Sequence, residues 1–363
     1  MQKKKIGFFI FILVFFALSV GTWLKPAAEY SATERRKLEQ FPKLTLESVA
    51  EGKFMTDFEK YTLDQFPMRD GFRSLKAWVS QHIFGKLDNN DIYVENGYAV
   101  KMEYPLKEES LQYAGVRFQN IYERYLKDSG SRIYLSMIPD KNYFLAENSG
   151  HLSMDYAKLF EIMKDEMPYA DYIDIVDLLA IEDYYKTDVH WRQENLVDVA
   201  EKISESMGIT LSGEYKKKTL EDDFYGVYFG QSALNLPGEK LHYLTNETLE
   251  QCTVYNYENN QPLGIYDLEK AEGDAPYEIF LSGPVSLLKI ENPNAAIEKE
   301  LIIFRDSFGS SLAPLLAEGY KTTTLIDIRY IQNEFLVNFV DFTDKDVLFL
   351  YSTVVLTNSE TLK

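Results

Sequence analysis

Two short motifs carry the residue types that serine-dependent acyl transfer needs, and the first is Asp188-Val189-His190. In an extended segment alternate side chains share a face, so Asp188 and His190 would point the same way. The carboxylate would then fix the imidazole tautomer through one ring nitrogen and leave the other nitrogen free as a base. Taken alone, a D-x-H pattern occurs by chance and favours a structural role.

The second motif is Asp306-Ser307, which follows the apolar run Leu301–Phe304. A serine on a sharp strand-to-helix turn exposes its hydroxyl at the carboxyl edge of a sheet, and backbone N–H groups there suit a developing oxyanion. An ordinary helix cap is the competing interpretation, because Asp and Ser are both favoured at caps. Together the motifs supply the three members of a nucleophilic site: Asp188 as orienter, His190 as base and Ser307 as nucleophile.

The elements that must position these residues follow the pattern of a layered α/β domain from about residue 90 onwards. Residues 211–300 lack this alternation and are rich in Tyr, Asn, Gly and Pro, which predicts a β-rich insertion. The predicted strands are 133–138, 172–176, 301–304, 323–328 and 346–351, and the predicted helices are 107–128, 192–207 and a segment ending near 318.

The first 25 residues predict a signal anchor. Lys3, Lys4 and Lys5 precede the uncharged run Ile6–Leu24, whose 19 residues approach the ~20 that span a bilayer as a helix. A cleaved signal peptide is the alternative, although its apolar region is usually shorter and the cleavage site here is poor. Three lysines before the span and one after it predict a single-pass protein of the cytoplasmic membrane with its catalytic domain on the extracytoplasmic side.

A membrane-proximal helical lead-in is predicted over residues 26–90, and the catalytic domain over residues 91–363. In the lead-in, Phe54, Phe58 and Tyr61 recur at helical spacing. Pro67 interrupts this pattern, and a second helix is predicted from about Arg69 to residue 84.

Composition excludes several classes of function. The net charge of −19, from 38 basic and 57 acidic residues, argues against a nucleic-acid partner. The single cysteine, Cys252, excludes an intrachain disulfide and a cysteine zinc site. His82, His151 and His242 show no metal-binding spacing, so the sequence predicts neither a catalytic metal nor a cofactor.

The chain resembles the DHHW family and its relatives, the alginate O-acetyltransferase proteins of the SGNH hydrolase superfamily. The resemblance rests on the two motifs in their wider form, T-D-V-H-W at 187–191 and L-I-I-F-R-D-S-F-G-S-S-L at 301–312. Further blocks resemble the family in the same order: Glu34-Arg35-Arg36, Phe41-Pro42, Phe66-Pro67-Met68-Arg69-Asp70, Pro139-Asp140-Lys141, Phe224-Tyr225-Gly226 and Ile326-Asp327-Ile328-Arg329-Tyr330.

The resemblance implies an SGNH-like three-layer α/β/α domain in circularly permuted order, with the β-rich insertion and the transmembrane helix added. It implies that Asp188 orients His190, that His190 is the base and that Ser307 attacks an acyl carbonyl. The implied activity is O-acetylation of an extracytoplasmic polysaccharide through a serine acyl-enzyme, with a membrane-bound acyltransferase as acetyl donor. A carbohydrate esterase, acting as a deacetylase, and a non-catalytic glycan-binding assembly protein are the alternatives.

The sequence departs from the family at Ser282-Gly283-Pro284, where relatives tend to have a Gly-Gly-Asn-like turn. Proline has no backbone N–H, so Gly283 would be the donor from this turn alongside the Ser307 N–H. Lys141 follows a predicted strand at the same edge and could contact substrate, with a surface lysine as the alternative. Arg329 beside Asp327 is either an ion pair or a contact to substrate.

Overall fold

The computed structural model describes residues 2–363, and their side chains from Ile6 onwards. Its helices and strands follow in chain order. The first half of the chain contains α1 (Gln2–Leu24), β1 (Tyr30–Ser31), β2 (Arg36–Lys37), α2 (Leu46–Ala50), α3 (Lys53–Asp64), α4 (Arg69–His82), β3 (Asp88–Asn89), β4 (Ile92–Glu95), β5 (Tyr98–Lys101), α5 (Glu108–Ile121), β6 (Arg132–Ile138), α6 (Lys141–Ser149), α7 (Tyr156–Glu166) and β7 (Asp171–Tyr172). The second half contains α8 (Val197–Ser206), β8 (Lys216–Phe224), α9 (Val227–Ser232), β9 (Glu239–Thr245), α10 (Glu247–Gln251), β10 (Thr253–Asn256), β11 (Gln261–Leu263), β12 (Leu287–Glu291), β13 (Glu300–Arg305), α11 (Gly309–Ala317), β14 (Thr322–Ile326), β15 (Asp346–Ser352) and α12 (Thr353–Leu356).

The chain divides into two compact units. Unit 1 comprises the residues up to Ile92 together with Val227–Leu236, and unit 2 comprises Tyr93–Gly226 and Pro237–Lys363. Both motifs of the candidate site lie in unit 2.

Unit 2 is built on an eight-stranded sheet in the order β11-β10-β12-β14-β13-β15-β6-β7. Strands β14, β13, β15, β6 and β7 run parallel, whereas β12, β10 and β11 add an antiparallel side. This is the mixed α/β architecture that the alternating pattern predicted. The parallel strands place their carboxyl ends on one edge, where ligands bind in open α/β sheets.

Apolar side chains on β13 alternate between two cores, one on each face of the sheet. Leu301 and Ile303 pack into the core that helices α8 and α11 cover. Ile302 and Phe304 pack into the core that helices α5 and α7 cover. Because both faces are buried, the strand is apolar throughout instead of alternating with polar residues, and the sequence showed it as a continuous run.

The structure corrects the bounds of two predicted elements. The strand predicted at 172–176 ends at Tyr172, because Asp174 turns back and accepts a bond from the Val176 N–H at 3.0 Å. The helix predicted from residue 192 begins at Val197. Before it, a short 3₁₀ turn holds Gln193, whose amide is bonded to the Ser311 carbonyl and the Leu244 N–H.

Residues 211–300, predicted as a β-rich insertion, contain β8 to β12. Strands β8 and β9 form a separate antiparallel pair, and β10, β11 and β12 extend the main sheet. The structure does not test whether this segment is an insertion relative to other proteins, and that remains a prediction.

Unit 1 contains a cluster of ion-paired residues, three of which come from two of the family-like blocks. Arg36 makes a two-pronged pair with Asp64 at 2.8 and 2.5 Å. Glu34 pairs with Arg69 and also with Arg73, the latter at 3.0 Å. The Glu34-Arg35-Arg36 block and the block around Arg69 therefore meet as ion pairs, which gives a structural reason for both.

Helix α1 is apolar and long enough over Ile6–Leu24 to cross a membrane, and it is almost wholly exposed. This agrees with the predicted anchor by length and composition. The orientation of the chain across a membrane stays a prediction.

Candidate active site

Ser307 lies on the turn between β13 and α11, where the motif predicted it. Between Leu301 and Ala317, Ser307 is the one residue that is partly exposed, and all the others are buried. Asp306, fully buried, fixes the turn because its two carboxylate oxygens accept bonds from the Phe308 N–H at 2.9 Å and from the N–H and hydroxyl of Ser352. The alternative of an ordinary helix cap does not describe Ser307, since the N-cap residue of α11 is Phe308 and the serine hydroxyl is bonded to His190.

The Asp188-x-His190 motif lies in a loop, and the prediction of an extended segment is wrong. Residues 186–190 form consecutive bends, closed at their base by a bridge between Tyr184 and Trp191. Asp188 reaches His190 by turning back, and its Oδ1 atom accepts bonds from the His190 backbone N–H at 3.1 Å and from Nδ1 at 2.5 Å. The two side chains therefore meet, but through a turn and not through strand alternation.

The three predicted residues form one continuous chain of hydrogen bonds. His190 Nδ1 lies 2.5 Å from Asp188 Oδ1, and His190 Nε2 lies 2.8 Å from Ser307 Oγ. Asp188 is fully buried, so its carboxylate has little access to water. With Nδ1–H donated to the carboxylate, Nε2 is the nitrogen able to accept the serine proton, which is the arrangement that nucleophilic catalysis by serine requires.

Trp191 ties the two motifs together. Its indole Nε1–H donates to the Phe308 carbonyl at 3.1 Å and to the Ser311 hydroxyl at 2.9 Å. Each motif is thus bonded to the other both through its reactive residue and through the adjacent aromatic residue. The position of His190 relative to Ser307 is fixed by two independent contacts.

Lys141 is bonded to the start of the loop that carries Asp188 and His190, and its interpretation as a surface lysine is wrong. The side chain is buried, and Nζ donates to the carbonyl oxygens of Tyr185 at 2.9 Å and Lys186 at 3.2 Å. Burial lowers the pKa of Lys141 to about 7, while the negative charge of Asp188 acts in the opposite direction. The structure therefore shows a contact to the loop, and a contact to substrate remains a prediction.

Two further residues confine the same loop. Glu239 was not singled out from the sequence, and Gly226 was named only as part of a family-like block. Glu239 accepts a bond from the Thr187 backbone N–H at 3.0 Å. Gly226, whose N–H donates to the Thr187 hydroxyl, lies so close that a Cβ atom there would be 2.3 Å from Asp188 Cα. The Phe224-Tyr225-Gly226 block thus has a structural reason, because only glycine permits this approach.

An aromatic ring supports the imidazole. Tyr277 stacks on His190 with ring centroids 3.9 Å apart and ring planes at 6°. Its hydroxyl donates to Ser311 at 2.8 Å, and burial raises the pKa of that phenol well above its usual value. Tyr277 therefore remains neutral and keeps the ring of His190 in one plane. No periodicity in the sequence marked it, since it lies in the irregular part of residues 211–300.

The oxyanion donors predicted from the sequence differ in their availability. The Ser307 N–H meets no acceptor within residues 2–363, so it can serve a bound oxygen. The Gly283 N–H donates to the Phe280 carbonyl at 3.3 Å. Gly283 would act as the second donor only after this turn opened.

Arg329 forms the predicted ion pair with Asp327, at 2.9 and 2.7 Å. Beneath it the fully buried Arg305 lies 3.6 Å from the same carboxylate. Arg305 also donates to the Gly283 and Val285 carbonyls at 3.5 and 3.4 Å, and so supports the turn that contains Gly283. Among the described residues no group of three or more His, Cys, Asp or Glu side chains is arranged to hold a metal ion.

Comparison with known proteins gives a likeness in fold. No family model and no curated protein matches the chain at a significant level. Among solved structures, a DHHW family protein from Eubacterium siraeum matches with a TM-score of 0.60 at 18% identity, covering 76% of this chain and 95% of that one.

Two structures of Bacillus cereus PatB1 match to a similar extent. The one with a sulfonyl adduct has a TM-score of 0.58 at 19% identity and covers 73% of this chain and 97% of that chain. The other has the same TM-score at 18% identity, covering 73% and 96%. The chain therefore shares its fold with a DHHW family protein and with PatB1, and the resemblance drawn from its motifs is confirmed at the level of the fold.

Proposed function

We propose that the chain is a membrane-anchored O-acetyltransferase that modifies an extracytoplasmic polysaccharide through an acetyl ester on Ser307. The observation that carries this proposal is the hydrogen-bonded series Asp188, His190 and Ser307, with 2.5 and 2.8 Å between the bonded atoms. A serine held in this way is a nucleophile with its base and orienter in place.

The reaction would run in two halves. Ser307 Oγ attacks the carbonyl carbon of an acetyl donor while His190 Nε2 takes the serine proton, and the Ser307 N–H donates to the oxyanion. Collapse expels the donor's alcohol, which receives the proton from His190. A polysaccharide hydroxyl then gives its proton to His190 Nε2 and attacks the acetyl carbon of the acetyl-serine. Collapse breaks the bond between the acetyl carbon and Ser307 Oγ, and His190 returns the proton to Ser307 Oγ, which regenerates the free serine and the neutral base.

We also propose a specific domain architecture and a mode of membrane attachment. We assign residues 91–363 to an SGNH-like three-layer domain in circularly permuted order, because the Asp-x-His motif precedes the serine motif in the chain. The burial of β13 on both faces supports three layers. Residues 1–25 would anchor the chain, with residues 26–90 as a membrane-proximal lead-in, and a membrane-bound acyltransferase would supply the acetyl group.

A carbohydrate esterase uses the same first half-reaction, with water in place of the polysaccharide. A non-catalytic glycan-binding assembly protein is favoured by one observation, the Gly283 N–H that is bonded to Phe280 and so offers no second oxyanion donor. Removing one such donor costs about 10²–10³ in turnover in a serine protease. Slow turnover of simple esters is therefore expected even from an active enzyme.

Covalent labelling tests the nucleophile directly. PatB1 has been solved with a sulfonyl adduct, and sulfonyl fluorides react with activated hydroxyl groups. The full chain treated with a sulfonyl fluoride should carry one adduct on the peptide that contains Ser307. Ser307→Ala should lose it, and the matched control Ser310→Ala, at a buried serine three residues away, should keep it. Unlabelled wild-type protein would contradict an activated serine.

Acetate on the envelope polysaccharide of the host separates the three functions. Deletion of the gene should lower acetate if the protein is a transferase, and restoration should need wild type and fail with Ser307→Ala. A rise in acetate on deletion would indicate an esterase. Full restoration by Ser307→Ala would indicate the non-catalytic role.

A further inference from the structure

Unit 1 exposes a short run of large apolar side chains just after the membrane-proximal segment begins. Phe41, Leu44, Leu46 and Val49 are 51, 69, 93 and 50% exposed. We refer to these four residues as the apolar edge. Large apolar side chains exposed so close together in the chain indicate a surface that contacts another molecule or a membrane.

The apolar edge is joined to the last turn of α1 by packed aromatic rings. The Trp23 ring lies 6.1 Å from that of Phe41 and 5.9 Å from that of Phe58 in α3. On another side of the same turn, a Cβ atom added to Gly21 would lie 3.2 Å from Pro67 Cγ. The end of α1 therefore packs against the rest of unit 1, and Phe41 of the apolar edge lies beside it.

These contacts fix the depth of Phe41, the first residue of the apolar edge, if α1 crosses a bilayer. The 19 residues of Ile6–Leu24 rise about 28 Å as a helix, which matches the hydrocarbon core of ~30 Å. Trp23 then lies at the boundary between hydrocarbon and headgroups, where Trp and Tyr are enriched. Phe41 touches Trp23 and must lie at nearly the same level.

Charge is distributed in a way that favours the same contact. Residues 26–92 contain 10 basic and 11 acidic residues and are nearly neutral. Residues 93–363 contain 24 basic and 46 acidic residues, a net charge of −22. An anionic lipid surface repels the second segment strongly and the first hardly at all.

We propose that the apolar edge inserts into the lipid interface at the C-terminal end of α1, so that the chain meets the bilayer through a second contact besides the helix. Phe41, Leu44, Leu46 and Val49 would lie among the headgroups and upper acyl chains, as the apolar faces of interfacial helices do. The inference rests on the membrane crossing of α1 in the function proposed above. A membrane-embedded protein would be the other possible occupant.

Depth-dependent quenching tests the proposal in the full chain. Single cysteines would be placed in a Cys252→Ala background and labelled with an environment-sensitive fluorophore after reconstitution into vesicles of phosphatidylcholine and phosphatidylglycerol. Leu46→Cys reports on the apolar edge and Leu13→Cys on the middle of α1. Val116→Cys, at a 54% exposed position of α5 in unit 2, is the matched control.

A shallow doxyl-labelled lipid should quench the label at Leu46 at least about twofold more than the label at Val116. A deep doxyl-labelled lipid should quench the label at Leu13. Since these vesicles contain no other protein, quenching at Leu46 would assign the occupant as lipid. An unquenched label at Leu46 beside a quenched label at Leu13 would overturn this inference and leave the anchor standing, whereas no quenching at either position would overturn both. Equal quenching at Leu46 and Val116 would indicate unspecific adhesion and also overturn the inference.

Discussion

Gly226→Ala should damage the candidate site although Gly226 carries no reactive group. A Cβ atom at this position would lie 2.3 Å from both the Cα and the Cβ atom of Asp188. Close-packed protein interiors leave no room for such an approach, so Asp188 must move by about 1 Å to restore ordinary contact. Its neighbours cannot absorb the shift, because Gly226 itself is bonded to Thr187 in the same loop.

The size of the effect follows from the bond that the shift breaks. Asp188 Oδ1 lies 2.5 Å from His190 Nδ1, and a displacement of about 1 Å removes it from hydrogen-bond range. Misplacement of this size costs on the order of 10²-fold in rate. Overpacking adds a destabilisation of roughly 1–3 kcal/mol, which leaves most of the protein folded.

The assay compares kcat/KM on a chromogenic acetyl ester, the rate of sulfonylation at Ser307 and the melting temperature for the full chain in detergent. Gly264→Ala is the matched control in unit 2, because the nearest atom to its new Cβ would be the Tyr266 carbonyl oxygen at 3.5 Å, an ordinary contact. Wild-type kcat/KM and sulfonylation rate in Gly226→Ala would refute the reasoning, since the loop would then tolerate the shift.

Three further predictions concern the triad, the buried lysine and the buried arginine. Ser307→Ala and His190→Ala should each lower ester turnover by 10³ or more, roughly, and the double variant by little beyond either; multiplicative losses would mean that the two residues act separately. Burial lowers the pKa of Lys141 to about 7 in the folded chain, whereas a lysine in the unfolded chain has a pKa of about 10.4. Between these two values the unfolded chain binds a proton that the folded chain does not. The free energy of unfolding should therefore rise with pH across that window. Urea unfolding at two pH values in the window should show a smaller rise for Lys141→Met than for wild type, and equal rises would contradict the assignment. Asp327→Ala leaves the fully buried Arg305 without its nearest carboxylate, so urea unfolding should report a loss of about 3–5 kcal/mol, and a loss under ~1 kcal/mol would contradict the pairing.

The sequence predicted the five parallel strands of the eight-stranded sheet, although not the bounds of β7, and the members of the candidate triad, because both depend on local pattern. The run Leu301–Phe304 is apolar because both faces of β13 are buried, and a continuous apolar run can be recognised in the sequence alone. Asp188, His190 and Ser307 were identified by chemistry and by their place after or between predicted elements. The 2.8 Å distance between His190 Nε2 and Ser307 Oγ depends on the tertiary structure, which the motifs alone do not determine.

The supporting contacts around the triad were not predicted, because the residues that make them are distant in the chain. The buried Lys141 donates hydrogen bonds to two carbonyl oxygens that lie 44 and 45 residues away in the chain. Tyr277 stacks on a ring whose motif is far upstream, in a segment without regular pattern. The loop form of Asp188-x-His190 was missed because spacing of two fits a strand and a turn equally well, and only the bond from the His190 N–H to Asp188 Oδ1 distinguishes them.

The support beneath Ser307 has a consequence for how the protein should lose activity on heating. Its turn is surrounded by buried residues from Leu301 to Ala317, and Asp306 joins it to Ser352 at the end of the adjacent strand β15. A nucleophile on a mobile surface loop can be lost by local opening while the core stays folded. Here the reactive hydroxyl lies at the edge of the core, so on heating Ser307 should be displaced only with cooperative unfolding of unit 2, and any earlier inactivation should come from the loop that carries Asp188 and His190.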